Sequence, residues 1–182
     1  MDDSKKHVCE AKRIVAHLSR LWIVITLAAA APALAHEEIV TNLRVVSGSV
    51  FEAGVNRYEL AGIDAPDLLQ GCRDNAQTFY RCGYNSWQFL HRLVEGRDLE
   101  CRSFGEVRPG TVRAQCTLDG RDLAELVVRQ GHAVAVTGSI DYSAAEAEAR
   151  ENRRGLWSGN FVPPSQWRER MKTPAFVPAA DR

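Results

Sequence analysis

Between residues 43 and 63 the chain carries two short apolar-rich runs that alternate with polar positions. Residues 43–51 are rich in β-branched and aromatic side chains, with Gly48 interrupting them. Glu52-Ala53-Gly54-Val55-Asn56 has turn chemistry, and residues 57–63 resume the alternation. The pattern predicts a β-hairpin. Pro66 stops it, because proline cannot donate into a strand ladder. Residues 68–83 are polar and predict a loop. Trp87, Leu90, Leu93 and Val94 then fall at helical spacing, so residues 86–94 predict a helix capped by Asn85 or Ser86 and closed by Gly96. Residues 99–104 and 112–118 read as paired strands. Asp122 is placed to cap a second helix over Leu123, Leu126 and Val127, ended by Gly131. Residues 133–136 are a short apolar strand. Ser143 caps a third helix, residues 144–154, before Gly155. Residues 158–182 hold four of the seven prolines and predict an extended tail. Strands, helix, strands, helix, strand, helix is an α+β order. A small barrel with helices packed around it satisfies the order.

The first 35 residues change the picture of the chain ends. Lys5, Lys6, Lys12, Arg13 and Arg20 precede an apolar run of 11 residues, Leu21 to Ala31. That run is too short to span a bilayer. Pro32-Ala33-Leu34-Ala35 follows with the small-residue spacing of a cleavage site. The expectation is a signal peptide over residues 1–35, a domain over 36–157 and a Pro-rich tail over 158–182. The protein is then secreted or periplasmic, with no membrane association after cleavage, and monomeric. Without residues 1–35 the chain has 18 basic and 20 acidic residues, net −2. A protein that grips nucleic acid through counterion release is usually clearly basic. A local basic groove remains compatible with this balance.

Four cysteines remain after Cys9 leaves: Cys72, Cys82, Cys101 and Cys116. An even set suits an oxidising compartment. Three pairings are open, and the local one, Cys72–Cys82 with Cys101–Cys116, is expected. A zinc site is the alternative, but the spacings of 10, 19 and 15 lack the short pairs that such sites use.

The candidate chemistry sits at Tyr58-Glu59-Leu60-Ala61-Gly62-Ile63-Asp64-Ala65-Pro66-Asp67, where a strand runs into a turn bearing two carboxylates. Taken alone, Asp64 and Asp67 are equally suited to capping that turn. Two further stretches accompany it in order. One is Leu123-Ala124-Glu125-Leu126-Val127-Val128-Arg129-Gln130-Gly131-His132-Ala133. The other is Tyr142 through Glu146 with Ala149, Arg150 and Gly155-Leu156-Trp157. Together these resemble the staphylococcal-nuclease-like (thermonuclease) family over residues 43–157. The four cysteines are similar to those of its exported, disulfide-bearing branch. The resemblance implies an OB-type five-stranded antiparallel β-barrel with three helices.

It also implies a site. Phosphodiester hydrolysis needs a metal held by carboxylates, a carboxylate beside the attacking water, and cations on the phosphate. By resemblance, Asp64 is one metal aspartate and Asp67 takes the water-side position of a glutamate. The other metal aspartate falls in Ser47-Gly48-Ser49-Val50, where Ser49 replaces it. The two phosphate arginines fall at Glu59 and, in Pro109-Gly110-Thr111, at Thr111. A hydroxyl is a poor ligand for a hard cation, so Ca²⁺ binding is expected to be weak or absent. Glu59 sets a carboxylate against the phosphate. A transition-state arginine is worth roughly 10³–10⁵ in rate in other phosphoryl-transfer systems. Arg57 shares a strand face with Glu59, and Arg113 shares one with Thr111, so either could compensate.

Three functions follow from these residues. The favoured one is a non-catalytic, nuclease-like accessory or binding protein. Exported, degenerate members of the family imply a role in exopolysaccharide (succinoglycan) biosynthesis, and an OB face binds oligosaccharides as well as oligonucleotides. Its expected partner is an anionic polymer, polysaccharide or nucleic acid. The second is an active periplasmic Ca²⁺-dependent endonuclease with a rebuilt site. The third is a protein-interaction module without enzymatic activity. His91 and His132 lack a nucleophile partner that spacing can place, and Arg150, Arg153 and Arg154 read as a solvated helix face.

Overall fold

The computed structural model describes residues 37–138 and 140–172. The expected signal segment and the last ten residues of the chain lie outside the described residues. In chain order the strands begin with β1 (Glu37–Val40), β2 (Arg44–Ser47), β3 (Val50–Ala53), β4 (Asn56–Leu60), β5 (Ile63–Asp64), β6 (Cys72–Asp74) and β7 (Phe79–Tyr80). Helix α1 (Cys82–Val94) follows, then β8 (Leu99–Arg108), β9 (Thr111–Leu118) and β10 (Arg121–Asp122). Helix α2 (Leu123–Arg129), β11 (Val134–Ala135), α3 (Ser143–Glu151), a 3₁₀ turn (Gly155–Ser158), β12 (Gly159–Asn160) and α4 (Pro164–Lys172) are the remaining elements of the described residues.

The main sheet runs β1-β8-β9-β4-β3-β2, with β10 on β9. It curls into the OB-like α+β nuclease fold. Two details differ from expectation. The β4–β9 pair is parallel, so the sheet is mixed. Among the described residues four α-helices are present where three were expected. The predicted hairpin is a three-stranded meander, because the chain reverses twice, at Gly48-Ser49 and at Gly54-Val55. Gly48 is required at the first reversal: a Cβ there would fall 1.9 Å from Ser86 Oγ of α1.

The core lies between the sheet and α1–α3, around Phe51, Leu60, Leu90, Leu99, Leu118, Leu123 and Val127. Phe51 stacks on Tyr58 with centroids 5.2 Å apart. Truncating so buried a ring costs about 3–5 kcal/mol. Helix α1 starts four residues earlier than predicted. Ser86 is not its cap but lies buried in its second turn and donates to the His132 carbonyl. Of the other two expected caps, Asp122 is in place and accepts from Glu125 N at 3.0 Å. Ser143 is instead the first residue of α3, whose cap position is Tyr142 and carries no side-chain cap bond. Arg150 and Arg154 are less free than expected. Arg150 pairs with Glu146 and lies 4.2 Å from the Trp157 ring, and Arg154 pairs with Glu148.

Both local cystine pairings are present, Cys72–Cys82 and Cys101–Cys116. Cys101 and Cys116 stand directly opposite each other across β8 and β9. Cys72–Cys82 ties β6 to the first turn of α1. Because β6 also pairs with β12, this staple lies beside the start of the C-terminal segment.

That segment corrects the expectation of an extended tail. Residues 159–160 form β12, and residues 164–172 form α4. Pro164 is the first helical residue, a position where its missing N–H costs nothing and its fixed φ suits a helix. Pro164 is buried, and fully buried Gln70 donates Nε2 to the Val162 carbonyl at 2.7 Å. Residues 159–172 are therefore docked on the domain.

Candidate functional site

Strand β4 delivers Glu59, and β5 delivers Asp64 at its end. The Ala65-Pro66 turn then presents Asp67 beside Asp64. The carbonyl of Asp67 packs where a Cβ on Gly83 would sit, 1.7 Å away, so α1 holds the turn closely. Ser49 enters from the β2–β3 reversal. A cavity of about 310 Å³ brings together Ser47, Ser49, Glu59, Asp64 and Asp67 with Arg57, Arg108 and Arg168. Four of the five site positions read from the sequence therefore share one cavity. Thr111 does not line it. It is buried in β9, opposite Arg57 of β4 and Arg108 of β8.

Glu59 is engaged from the neighbouring hairpin. Arg113 stands beside it in the parallel β4–β9 register and donates at 3.1 Å, and Arg108 donates at 2.9 Å. Arg57, which shares the strand face, lies 3.7 Å from Glu52. Both arginines considered as compensating cations thus stand beside carboxylates of the same sheet.

Asp64 and Asp67 meet a residue that the sequence reading missed. Arg168 of α4 donates Nη2 to both oxygens of Asp64, at 2.9 and 2.8 Å, and Nη1 reaches Asp67 at 3.5 Å. The backbone N–H of Ser165, in the first turn of α4, also bonds Asp64. Asp64 is thus placed at a helix N-terminus, where the helix dipole favours a negative charge. The Pro163-Pro164 step suits a helix start as readily as an extended tail, so by itself it does not place Arg168 at the site.

Burial works against both charges. It pushes the Asp64 carboxyl above its usual range, opposed by the Arg168 and Ser165 hydrogen bonds. At Arg168 burial works downward, and the contacts with Asp64 and Asp67 outweigh it, so the guanidinium moves up. Arginine keeps its proton in either case. The Asp64 side chain is only 17% exposed, against 40% for Arg168 and 44% for Asp67. On the far side of Arg168 a second cavity of about 640 Å³ continues along Gly62, Arg113 and residues 134–138 to Ser165.

The donor set does not fit a hard divalent cation. It comprises one hydroxyl and two carboxylates, and a guanidinium already bridges the carboxylates. Among the described residues no group of three or more His, Cys, Asp or Glu side chains converges as a metal centre. His132 is packed rather than catalytic. Its ring stacks on Phe89 at 4.3 Å, and burial lowers its pKa to about 4.

The curled OB-like sheet, with paired carboxylates where its third meander strand turns, defines the nuclease-like class. The family model described as Staphylococcal nuclease homologue matches residues 57–159, and the chain belongs to that family. Among its relatives is the "Succinoglycan biosynthesis protein ExoI" of Rhizobium meliloti (strain 1021), 30% identical over 127 residues, 68% of this chain and 66% of that protein. An "Uncharacterized endonuclease" of Escherichia coli is 30% identical over 139 residues, 70% of this chain and 83% of that protein. "Staphylococcal-like nuclease CAN1" of Arabidopsis thaliana is 28% identical over 120 residues, 64% of this chain and 34% of that protein. The chain therefore spans just under two thirds of the rhizobial protein and about a third of the plant nuclease.

Proposed function

We propose that this protein is an exported nuclease-like binding protein, with phosphodiesterase activity lost or strongly reduced, that serves as an accessory in exopolysaccharide biosynthesis. The supporting observation is the state of the three carboxylates. Asp64 and Asp67 are bridged by Arg168, and Glu59 stands at a phosphate-arginine position with Arg108 and Arg113 bound to it. In this reading Ser49 and Thr111 also stand for a lost metal aspartate and a lost arginine, and Ca²⁺ binds weakly or not at all. The two disulfides accord with export behind a signal over residues 1–35. The polysaccharide role draws on the name of the rhizobial relative, and an acidic polysaccharide is the ligand class assigned.

The test is cleavage by the mature chain of single-stranded DNA and RNA in calcium, magnesium or manganese, alongside binding to an acidic polysaccharide. No cleavage above buffer and saturable polysaccharide binding are expected. Metal-dependent cleavage that disappears in Asp64→Ala would establish the second reading, an endonuclease with a rebuilt site. That reading has its own support: Arg57 and Arg108 line the same cavity as Asp64 and Asp67.

A further inference from the structure

The family's chemistry places a divalent cation against the carboxylates at the Ile63-Asp64 turn. Here the same two carboxylates converge on a guanidinium. One guanidinium nitrogen of Arg168, Nη2, is shared between the two oxygens of Asp64 in a charge-assisted contact. Its second nitrogen reaches Asp67. One side chain therefore touches both the metal-aspartate position, Asp64, and the water-side position, Asp67.

The position of α4 is over-determined. The Ser165 N–H bonds the same Asp64. Pro164 is buried, and fully buried Gln70 holds the Val162 carbonyl just before the helix. Strand β12 pairs with β6, which Cys72–Cys82 fastens to α1. Four independent attachments thus set one arginine over one carboxylate pair. A surface arginine that met Asp64 by chance would need none of them.

We infer that Arg168 is a resident cation, carried by the chain itself, that takes the place of a metal at Asp64 and Asp67 and closes that position to divalent ions. The inference deepens the reading of the site as non-catalytic and rests on it for the identity of the metal position. A guanidinium supplies one positive charge where a divalent ion supplies two. It is not a Lewis acid, so it does not lower the pKa of a water for attack on a phosphate as a metal does. The pair is also self-supplied, so Asp64 keeps its counter-charge at any metal concentration. Asp64 in turn anchors α4, which makes the remnant of a metal site into the docking point of the C-terminal helix.

Manganese is a direct probe, because it broadens amide resonances near its binding site. In the mature protein with both disulfides intact, Mn²⁺ is expected to leave the amides of residues 63–68 unbroadened. In Arg168→Gln the same amides should broaden, with Mn²⁺ affinity higher by about tenfold or more, the scale of a lost charge-assisted hydrogen-bond pair. Arg168→Lys should stay close to the parent, because it keeps the cation. Equal broadening in the parent and Arg168→Gln would overturn the inference, as would no broadening in Arg168→Gln. A second variant reads the helix side. Asp64→Asn should speed hydrogen exchange in α4, and unchanged exchange there would overturn the docking role of Asp64. Failure of the non-catalytic reading has a different signature, since it requires metal-dependent cleavage by the parent protein. Equal Mn²⁺ broadening without cleavage would remove the resident cation and leave that reading standing on Glu59 and Thr111.

Discussion

Glu59 and Asp64 lie five residues apart at the same corner of the sheet, and each carries arginine, but by opposite means. Glu59 takes Arg108 and Arg113 from the adjacent β8–β9 hairpin, whose register places them. Those arginines are 66% and 48% exposed, so the cluster is solvent-screened. Asp64 takes Arg168 from a helix 104 residues further on, and its own side chain is largely covered. The first cluster is a consequence of the sheet and forms whenever the sheet forms. The second exists only while the C-terminal segment is docked. A charge fixed by strand register is part of the fold, whereas a charge delivered by a terminal helix can be removed without unfolding the domain.

The two disulfides fall on either side of this division, and removing them separately should break it most sharply. Cys101→Ala with Cys116→Ala opens a 15-residue loop and should cost about 3 kcal/mol in urea unfolding. Its hydrogen-exchange signature should be faster exchange along β8 and β9. Cys72→Ala with Cys82→Ala opens a 10-residue loop and should cost slightly less, about 2.7 kcal/mol. Its faster exchange should reach β12 and α4. Identical exchange maps for the two variants would mean that the clusters are not separate units.

Acid should weaken the protein through the core between α1 and α2. His132 is held near a pKa of about 4 by burial, with Arg92 adding to the effect, below the ordinary value of 6.5. The unfolded chain therefore binds the extra proton first. Stability is full above about pH 6.5 and falls as the pH drops towards 4, by about 1.4 kcal/mol per unit. Urea midpoints between pH 7 and pH 4 should show this slope in the parent and a flatter one in His132→Leu. An unchanged slope in the variant would place the acid sensitivity elsewhere, with the carboxylate clusters the first to test.

How much of this was legible in the sequence follows the same division. Asp64 and Asp67 could be read as neighbours because a proline turn is a local device, and both cystines because the local pairings are short. Glu59 and Ser49 could be placed in one site through the resemblance to the nuclease-like family alone. Arg108 was not read, because β8 extends four residues beyond the apolar run that predicted it, and its exposed end leaves no burial pattern. Thr111 was placed on the phosphate by resemblance, yet it turns into the sheet, as its 6% exposure shows. Arg168 was out of reach for a different reason. Proline-rich composition favours extended chain in general, and only docking against Gln70 and Asp64 selects the helix. Contacts that span 104 residues leave no periodic trace.

A smaller effect isolates the tether from the ion pair. Gln70→Leu keeps the volume close but deletes the Nε2 hydrogen bond and leaves the Val162 carbonyl unpaired. The cost should be about 1–2 kcal/mol, and the exchange of α4 amides should rise while β8 and β9 stay protected. If α4 keeps its protection, the Arg168 contact alone suffices to dock it.

The smallest effect is expected at Glu59, and it is the informative control. Glu59→Gln removes the carboxylate from two exposed arginines, and exposed pairs contribute at most about 1 kcal/mol. Solvent screening and the register of β4 with β9 predict that the variant melts within a few degrees of the parent. Raising the salt concentration should shrink the difference further, because such pairs are screened over a Debye length of about 10 Å at 0.1 M. A large loss of stability in Glu59→Gln would mean that Glu59 organises the hairpin rather than decorating it. The two clusters would then differ in sequence distance alone. With a small loss, the freed Arg108 stands beside Arg57 on the 310 Å³ cavity and the freed Arg113 lines the 640 Å³ one, and the variant should bind an acidic polysaccharide more tightly than the parent. That gain, measured by titration at fixed ionic strength, tests whether Glu59 weakens the hold on polyanions at this corner of the sheet.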